Sequence, residues 1–223
     1  MSISVITMRV QKGLSINYCY LIFHRKTKFG ILLDPAWEPD KINAMISKHQ
    51  IILKAILLTH HHPDHIDLAD FFSSSKQIPV YMSSEEIMHY GFACTYLSPL
   101  LSEEPLYISN IRVKPIFTPG HTSGCTCYLI GKNIFTGDVL FNEGCGLCLG
   151  KGSDPIAMFY SLQKLKKEIA KTDYVYPGHC YGLPVGQSFE VVLKNNIYLD
   201  INDVDSFVKF RMRPRQRGLF DFI

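Results

Sequence analysis

The stretch that decides the fold reads Leu57-Leu58-Thr59-His60-His61-His62-Pro63-Asp64-His65. Its pattern His-x-His-x-Asp-His places four side chains of metal-binding type within six residues. The histidines follow an apolar run over residues 53–58, which is typical of a strand buried on both faces. Because His60 and His62 are two residues apart, an extended segment points both in the same direction. The proline then turns the chain, so that the aspartate and the last histidine can reach a second point nearby.

Three more side chains of this type stand downstream in short turns, each directly after a glycine. They are His121 after Gly120, Asp138 after Gly137 and His179 after Gly178. Each turn follows a segment of strand character, so the sheet would hold these ligands in place before a metal arrives.

Together these seven side chains fit two metal ions. We expect one ion to bind His60, His62 and His121, the other to bind Asp64, His65 and His179, and Asp138 to bridge them. Imidazole suits zinc and iron, and a carboxylate can bridge two ions and balance their charge. The prediction is two Zn²⁺ ions, with iron or manganese as alternatives. Each ion keeps an open coordination position for water, as a catalytic site requires.

The alternative for the whole set is a structural zinc site. Such a site is normally closed by four ligands and is richer in cysteine, so the seven candidates favour a catalytic centre. His61 lies between two ligands and is expected to point away from the metal. His24, His49 and His89 are interpreted as ordinary surface or packed histidines.

Composition excludes several classes of protein. The chain has 223 residues, of which 47% are hydrophobic and 19% charged, so it can bury a substantial core. A net charge of +3 is too small to indicate nucleic-acid binding, and no apolar stretch is long enough to span a membrane. Seven cysteines without a disulfide-like spacing, and no signal peptide, predict a cytoplasmic protein.

Strand-like and helix-like segments alternate in both halves of the chain, which predicts a mixed α/β (α+β) class. Helices are predicted over residues 66–72, from a capping box at Ser83 and Glu86, from 154 to about 171, and over 189–195 and 204–211. The segment 91–105 has little periodicity and is predicted to be a loop.

The ligand pattern resembles the metallo-β-lactamase superfamily, and the resemblance covers nearly the whole chain. It implies a four-layer αβ/βα sandwich formed by residues 1–223 as a single domain, with the metals at one edge between the sheets and short helices at the C-terminus. The segments Leu140-Phe141-Asn142-Glu143-Gly144-Cys145-Gly146, Gly152-Ser153-Asp154-Pro155 and Ser161-Leu162 resemble the glyoxalase II-like thioester hydrolases. Within that group the chain looks closest to the zinc-dependent hydrolases of bacterial polyketide and antibiotic biosynthesis.

This resemblance implies hydrolysis of an acyl thioester, with an acyl carrier protein as a candidate partner. We expect a metal-bound hydroxide to attack the thioester carbonyl, with Asp64 as the catalytic residue that orients it and takes its proton. Tyr181 matches a family tyrosine that contacts the thiol carrier; a packed tyrosine is the alternative. The protein is expected to be a monomer or weak oligomer that binds neither nucleic acid nor membrane.

Other functions on the same scaffold remain alternatives. They are a glutathione thioester hydrolase (glyoxalase II), a lactonase, an RNA-processing phosphodiesterase and a persulfide dioxygenase with one iron. Cys145 and Cys148 form an isolated Cys-x-x-Cys pair, interpreted as packing or loop residues. The basic C-terminal segment with Lys209, Arg211, Arg213, Arg215 and Arg217 is interpreted as solvated, with a patch for an acidic partner as the alternative.

Overall fold

Two six-stranded sheets form the middle of the molecule in a computed structural model that describes residues 3–214, 216 and 222. The first sheet contains β1 (Ile3–Lys12), β2 (Ser15–His24), β3 (Phe29–Leu33), β4 (Ile52–Leu57), β5 (Val80–Ser83) and β6 (Leu97–Leu100). The second contains β7 (Leu106–Ile108), β8 (Ile111–Phe117), β9 (Thr126–Ile130), β10 (Asn133–Gly137), β11 (Tyr174–Pro177) and β12 (Gln187–Ser188). In both sheets, strands that follow one another in sequence are hydrogen-bonded neighbours.

Both sheets are mixed. Strands β1, β2 and β3 pair antiparallel, whereas β3 through β6 pair parallel. The second sheet is antiparallel except for the pair β10 and β11. The carboxyl ends of β4, β8, β10 and β11 lead directly into the four segments that carry the predicted ligands, so the sheets bring those segments together.

Helices cover the outer faces of the sheets. The chain contains α1 (Pro39–Lys48), α2 (Pro63–Ile66), α3 (Ala69–Lys76), α4 (Ser84–Tyr90), α5 (Pro155–Glu168), α6 (Phe189–Asn195), α7 (Ile197–Asp200) and α8 (Val204–Arg211). None of these described helices combines the length and the apolar character needed to cross a membrane.

The apolar core lies in three layers. Tyr20 and Phe135 meet between the two sheets. Ile42 of α1 and Phe72 of α3 pack on the outer face of the first sheet, and Leu162 of α5 packs on the outer face of the second. Burying each such side chain contributes about 1.5–3 kcal/mol. The predicted four-layer αβ/βα sandwich with short C-terminal helices is confirmed.

Some local predictions were wrong. The helix predicted over 66–72 is two helices, because Pro63 starts a short turn of helix α2 before α3 begins at Ala69. The predicted loop 91–105 contains β6, whose residues are ordered by parallel pairing with β5 rather than by their own periodicity. The second error arises because a tertiary neighbour, and not local sequence, sets the conformation of that segment.

The basic C-terminal segment is not uniformly solvated. Arg211 is buried, and its Nη1 donates to the carbonyl oxygen of Cys145 and to the hydroxyl of Tyr198. Arg213 is exposed and also donates to Tyr198. Arg211 therefore connects α8 to the loop that follows Asp138. Arg215 and Arg217 lie outside the described residues.

Candidate metal centre

Three imidazoles converge in what we call the first position, formed by His60, His62 and His121. The Nδ1 atom of His62 lies 3.0 Å from Nε2 of His60 and 3.0 Å from Nε2 of His121. Tetrahedral zinc with Zn–N bonds of 2.0–2.1 Å separates its nitrogens by about 3.3 Å. The three lone-pair nitrogens are therefore spaced as ligands of one cation would be.

The second position is formed by Asp64, His65 and His179. One carboxylate oxygen of Asp64, Oδ2, lies 3.2 Å from Nε2 of His179 and 3.7 Å from Nε2 of His65. His65 and His179 are buried, whereas 26% of the side-chain surface of Asp64 is exposed to solvent. This set can hold a second cation beside an opening to solvent.

Asp138 lies between the two positions. Its Oδ1 is 3.3 Å from His65, and its Oδ2 is 3.5 Å from His121 and 3.4 Å from His179. Among the described residues, Oδ1 of Asp138 and Nε2 of His65 are buried atoms without a hydrogen-bond partner. Buried polar groups are nearly always paired, so these two atoms fit ligands of a cation, and the donor set of nitrogen and carboxylate oxygen suits zinc.

The second nitrogen of each ring orients it. His121 donates from Nδ1 to the carbonyl oxygen of Leu147 at 2.7 Å, and His179 donates to that of Ile16 at 2.7 Å. His60 contacts the Thr59 hydroxyl through Nδ1 at 3.0 Å. In these rings Nε2 is left facing the centre, which is the outer-shell arrangement typical of metal-binding histidines.

Asp34 is a functional residue that the sequence analysis missed. It is buried, and its Oδ2 accepts from Nδ1 of His65 at 2.9 Å. It also accepts from the backbone N–H and the hydroxyl of Thr59 at 2.8 and 2.7 Å. Asp34 stands at the end of β3 with Pro35 next to it, which in sequence indicates only a strand end. The usable signal was an aspartate directly after a buried strand that neighbours β4.

His61 faces away from the centre. Its backbone N–H and its Nδ1 both contact Oε1 of Glu86, at 2.8 and 2.6 Å, and its ring stacks on Tyr90 at 3.6 Å between centroids. Glu86 is the second residue missed by sequence analysis. Ser83 caps α4 as predicted by accepting from the Glu86 N–H, but the Glu86 carboxylate bonds to His61 and the His121 turn instead of completing the capping box.

Charge differs between the two positions. Burial and the neighbouring imidazole of His121 lower the pKa of His62 to about 4, and burial with the nearby His65 lowers the pKa of His60. For His179, burial lowers the pKa, but Asp138 and Asp64 outweigh it and raise the pKa to about 9. The pKa of His65 is raised in the same way by the carboxylates around it. Without metal, the lowered pKa values of His60 and His62 keep these imidazoles neutral at pH 7, whereas the raised pKa values of His65 and His179 keep theirs protonated.

The turn before His179 allows very close packing. A Cβ atom added at Gly178 would lie 2.5 Å from Oδ1 of Asp138 and 2.6 Å from Cε1 of His65. Only glycine permits this approach, so the sequence Gly178-His179 is required to bring β11 against the centre.

A cavity of about 620 Å³ opens on the ligands. Its floor includes Asp64 and Asp138, and its walls include the apolar side chains of Trp37, Phe141 and Leu147. The other cavity-lining residues of this chain are Ser15, Ile16, His62, Pro63, His121, Gly146, Leu149, Gly150, His179, Tyr181 and Phe222. The ligands are therefore accessible from a largely apolar pocket.

The structure brings all seven predicted ligands together and places Tyr181 at the cavity wall. Tyr181 packs against Phe141 and Phe222, with ring centroids 5.5 and 5.1 Å away. Burial raises its pKa, so its hydroxyl stays protonated at neutral pH. Cys145 and Cys148 are buried in the apolar cluster around α5 and are not among the candidate ligand groups of the described residues.

Comparison with known proteins places the chain in a family. The family model described as Metallo-beta-lactamase superfamily matches residues 13–179. The probable polyketide biosynthesis zinc-dependent hydrolase BaeB of Bacillus velezensis is 45% identical over 206 residues, covering 92% of each chain. The probable hydroxyacylglutathione hydrolase glo2 of Schizosaccharomyces pombe is 32% identical and covers 81% of this chain and 70% of its own.

Solved structures share the fold. The crystal structure of ETHE1 from Myxococcus xanthus superposes with a TM-score of 0.81, covering 97% of this chain and 95% of that chain at 24% identity. At that identity the likeness concerns the fold. The match of the family model and the similarity to BaeB show that this chain belongs to the metallo-β-lactamase superfamily.

Proposed function

We propose that the chain hydrolyses acyl thioesters with two zinc ions held in the first and second positions. As a member of the superfamily with relatives named zinc-dependent hydrolases, it is a metal-dependent hydrolase. The similarity to BaeB supports a role in polyketide biosynthesis, and the glutathione thioester hydrolases are more distant relatives.

The observation that carries the thioester proposal is the cavity above the ligands. Its walls of Trp37, Phe141 and Leu147 suit an apolar acyl chain, and its floor presents the carboxylates and imidazoles of both positions. A substrate that enters with its acyl group against these walls would place the carbonyl at the floor.

Zinc ions held by His60, His62 and His121 and by Asp64, His65 and His179 would supply a water that ionises near neutral pH and a Lewis acid for the carbonyl. Asp64 orients the attacking water, because its carboxylate is partly exposed at the cavity floor, whereas that of Asp138 is buried. Burial raises the pKa of Asp64, but His65 and His179 outweigh it, so the group is a carboxylate that can accept the proton. A thiolate is a good leaving group, so no strong general acid is needed in this step.

The thiol carrier we propose is the arm of an acyl carrier protein, with Tyr181 as a wall that the arm contacts. Tyr181 lines both the main cavity and an adjoining one of about 280 Å³, which also contains Arg213. These two cavities share Phe141, Leu147 and Tyr181, so a long thiol could lie across them. Binding does not require contact with a membrane or a nucleic acid.

A hydrolysis panel tests the proposal. Acyl-carrier protein, acyl-coenzyme A, acyl-glutathione and a lactone would be compared at equal concentration with the zinc-loaded protein. We expect the highest kcat/KM for the carrier-bound thioester and no turnover of the lactone. Activity on the lactone alone would refute thioester hydrolysis, and equal activity on all three thioesters would refute the carrier assignment. Oxygen uptake with a single bound iron would favour the persulfide dioxygenase instead.

A further inference from the structure

The carboxylate of Glu86 joins two loops that carry ligands of the first position. Its Oε1 accepts from the backbone N–H of His61 at 2.8 Å and contacts Nδ1 of the same residue at 2.6 Å. Its Oε2 accepts from the hydroxyl of Thr122 and the N–H of Gly124, each at 2.8 Å. The side chain is fully buried. Four donors therefore converge on one carboxylate behind the metal centre.

Two of the three partner residues of Glu86 are covalent neighbours of ligands. His61 lies between His60 and His62, and Thr122 directly follows His121. A shift of either loop would move at least one of the three ligand nitrogens of the first position, where Nδ1 of His62 lies 3.0 Å from Nε2 of both His60 and His121. Among the described residues, the hydrogen bonds of the Glu86 carboxylate go to His61, Thr122 and Gly124, and not to Asp64, His65 or His179.

Helix α4 fixes the carboxylate. The Ser83 hydroxyl accepts from the Glu86 N–H and donates to the carbonyl oxygen of Gly124 at 2.7 Å. A Cβ atom at Gly124 would lie 2.3 Å from the Glu86 nitrogen, so the His121 loop can lie this close only with glycine there. Tyr90, one turn along α4, stacks on His61 and accepts from the N–H of Ser123.

The chemistry of this cluster requires a carboxylate. All four contacting groups can donate, and an ionised carboxylate accepts at both oxygens, whereas an amide accepts at only one. Burial raises the pKa of Glu86, but its hydrogen bonds from His61, Thr122 and Gly124 outweigh it and hold the pKa below its ordinary value. Within the described residues its one ion-pair partner is His61, so the charge is balanced by donors of the ligand loops.

We propose that Glu86 is a positioning residue for the first metal position, which holds His60, His62 and His121 at ligand spacing through His61 and Thr122. The inference rests on the proposed function, in which each position holds one zinc ion. Partners behind a metal ligand typically contribute about 10- to 100-fold to metal affinity. Glu86 would thus act on one of two adjacent ions.

The test compares Glu86→Gln with Glu85→Gln, a matched change at the exposed neighbouring residue of the same helix. Zinc would be measured by elemental analysis after dialysis against a competing chelator, and cobalt by its visible absorption. We expect Glu85→Gln to retain two ions and Glu86→Gln to retain one, with affinity at the lost position about 10- to 100-fold lower. Adding His179→Ala to Glu86→Gln should remove the remaining ion, whereas adding His62→Ala should not.

Each result has a defined meaning. Two ions at unchanged affinity in Glu86→Gln, or equal loss from both positions, would overturn the positioning role. Fewer than two ions in the unaltered protein would refute the proposed two-zinc centre and not the role of Glu86, which would then be read from the affinity of the single ion. If Glu86→Gln does not fold, Thr122→Val removes a single one of the four contacts. Unchanged first-position affinity in that variant would also overturn the proposal.

Discussion

The first and second positions use the same kind of ligand but are supported from different directions. Glu86 of α4 braces the first position indirectly, through residues that flank the ligands. Asp34 at the end of β3 braces the second directly, by accepting from the ring of His65. Three carboxylates, of Asp34, Asp64 and Asp138, surround His65, whereas the imidazoles of the first position have mainly one another as neighbours. The difference shows how one pattern of histidines yields two electrostatically distinct cation sites.

Asp138→Ala would remove the group that the two positions share and should have the largest effect. Its oxygens lie 3.3 to 3.5 Å from ligands of both positions. Because a bridging ligand contacts the metal itself, the loss of affinity should exceed the about 100-fold upper range for an outer-shell partner. We expect less than one zinc per chain and a matching loss of thioester hydrolysis, measured by elemental analysis and thiol release.

The control for this change is Asp205→Ala on the exposed surface of α8. It should leave zinc content and hydrolysis unchanged. If Asp138→Ala retained one tightly bound ion, the two positions would be independent and the carboxylate would not be shared between them.

Much of this centre could be predicted from the sequence. The spacing of His60 and His62 and the glycine-flanked turns at His121 and His179 identify the candidate ligands, because strand ends converge at one sheet edge. Asp34 and Glu86 could not be found in this way. Their role depends on which segments pack behind the ligands. Asp34 lies 31 residues before its partner His65, and Glu86 lies 25 residues after its partner His61. Such contacts have no local periodicity or motif.

The fold, like the metal centre, was predictable where local sequence determines the structure and not where distant contacts do. Alternating apolar segments identified most strands and the C-terminal helices, since each element carries its own burial pattern. The edge strand β6 and the buried Arg211 were missed, because pairing with β5 and contact with Tyr198 are supplied by distant parts of the chain. Local chemistry predicts elements and ligand types, whereas outer-shell partners and edge strands require the assembled structure.

The second-largest effect should come from a change of pH, which should alter the metal affinity of the two positions differently. The raised pKa values of His65 and His179, the latter about 9, mean that metal must displace their protons at neutral pH. The pKa of His62 is about 4 and that of His60 is also lowered, so neither competes for protons between pH 8 and 6. Falling pH favours the protonated form, so apparent affinity at the second position should drop about tenfold per pH unit for each proton displaced.

Zinc titrations at several pH values in the presence of a competing chelator measure this effect. One binding step, that of the second position, should lose affinity as pH falls from 8 to 6, whereas the other should not be weakened by protonation of His60 or His62, which stay neutral over this range. Two steps with the same pH dependence would show that the carboxylates around His65 do not distinguish the positions.

Asp34→Asn tests the second position as Glu86→Gln tests the first. Its effect on metal affinity should be smaller than that of Asp138→Ala or of the change in pH. Asp34 accepts from His65 and twice from Thr59, and an amide group facing these donors cannot accept all three. We expect about 10- to 100-fold weaker zinc binding at the second position only, measured by chelator competition against the exposed-site control Asp40→Asn. Since Thr59 also contacts His60, some loss can spread to the first position. A loss centred on the first position instead would break the assignment of Asp34 to one ion and Glu86 to the other.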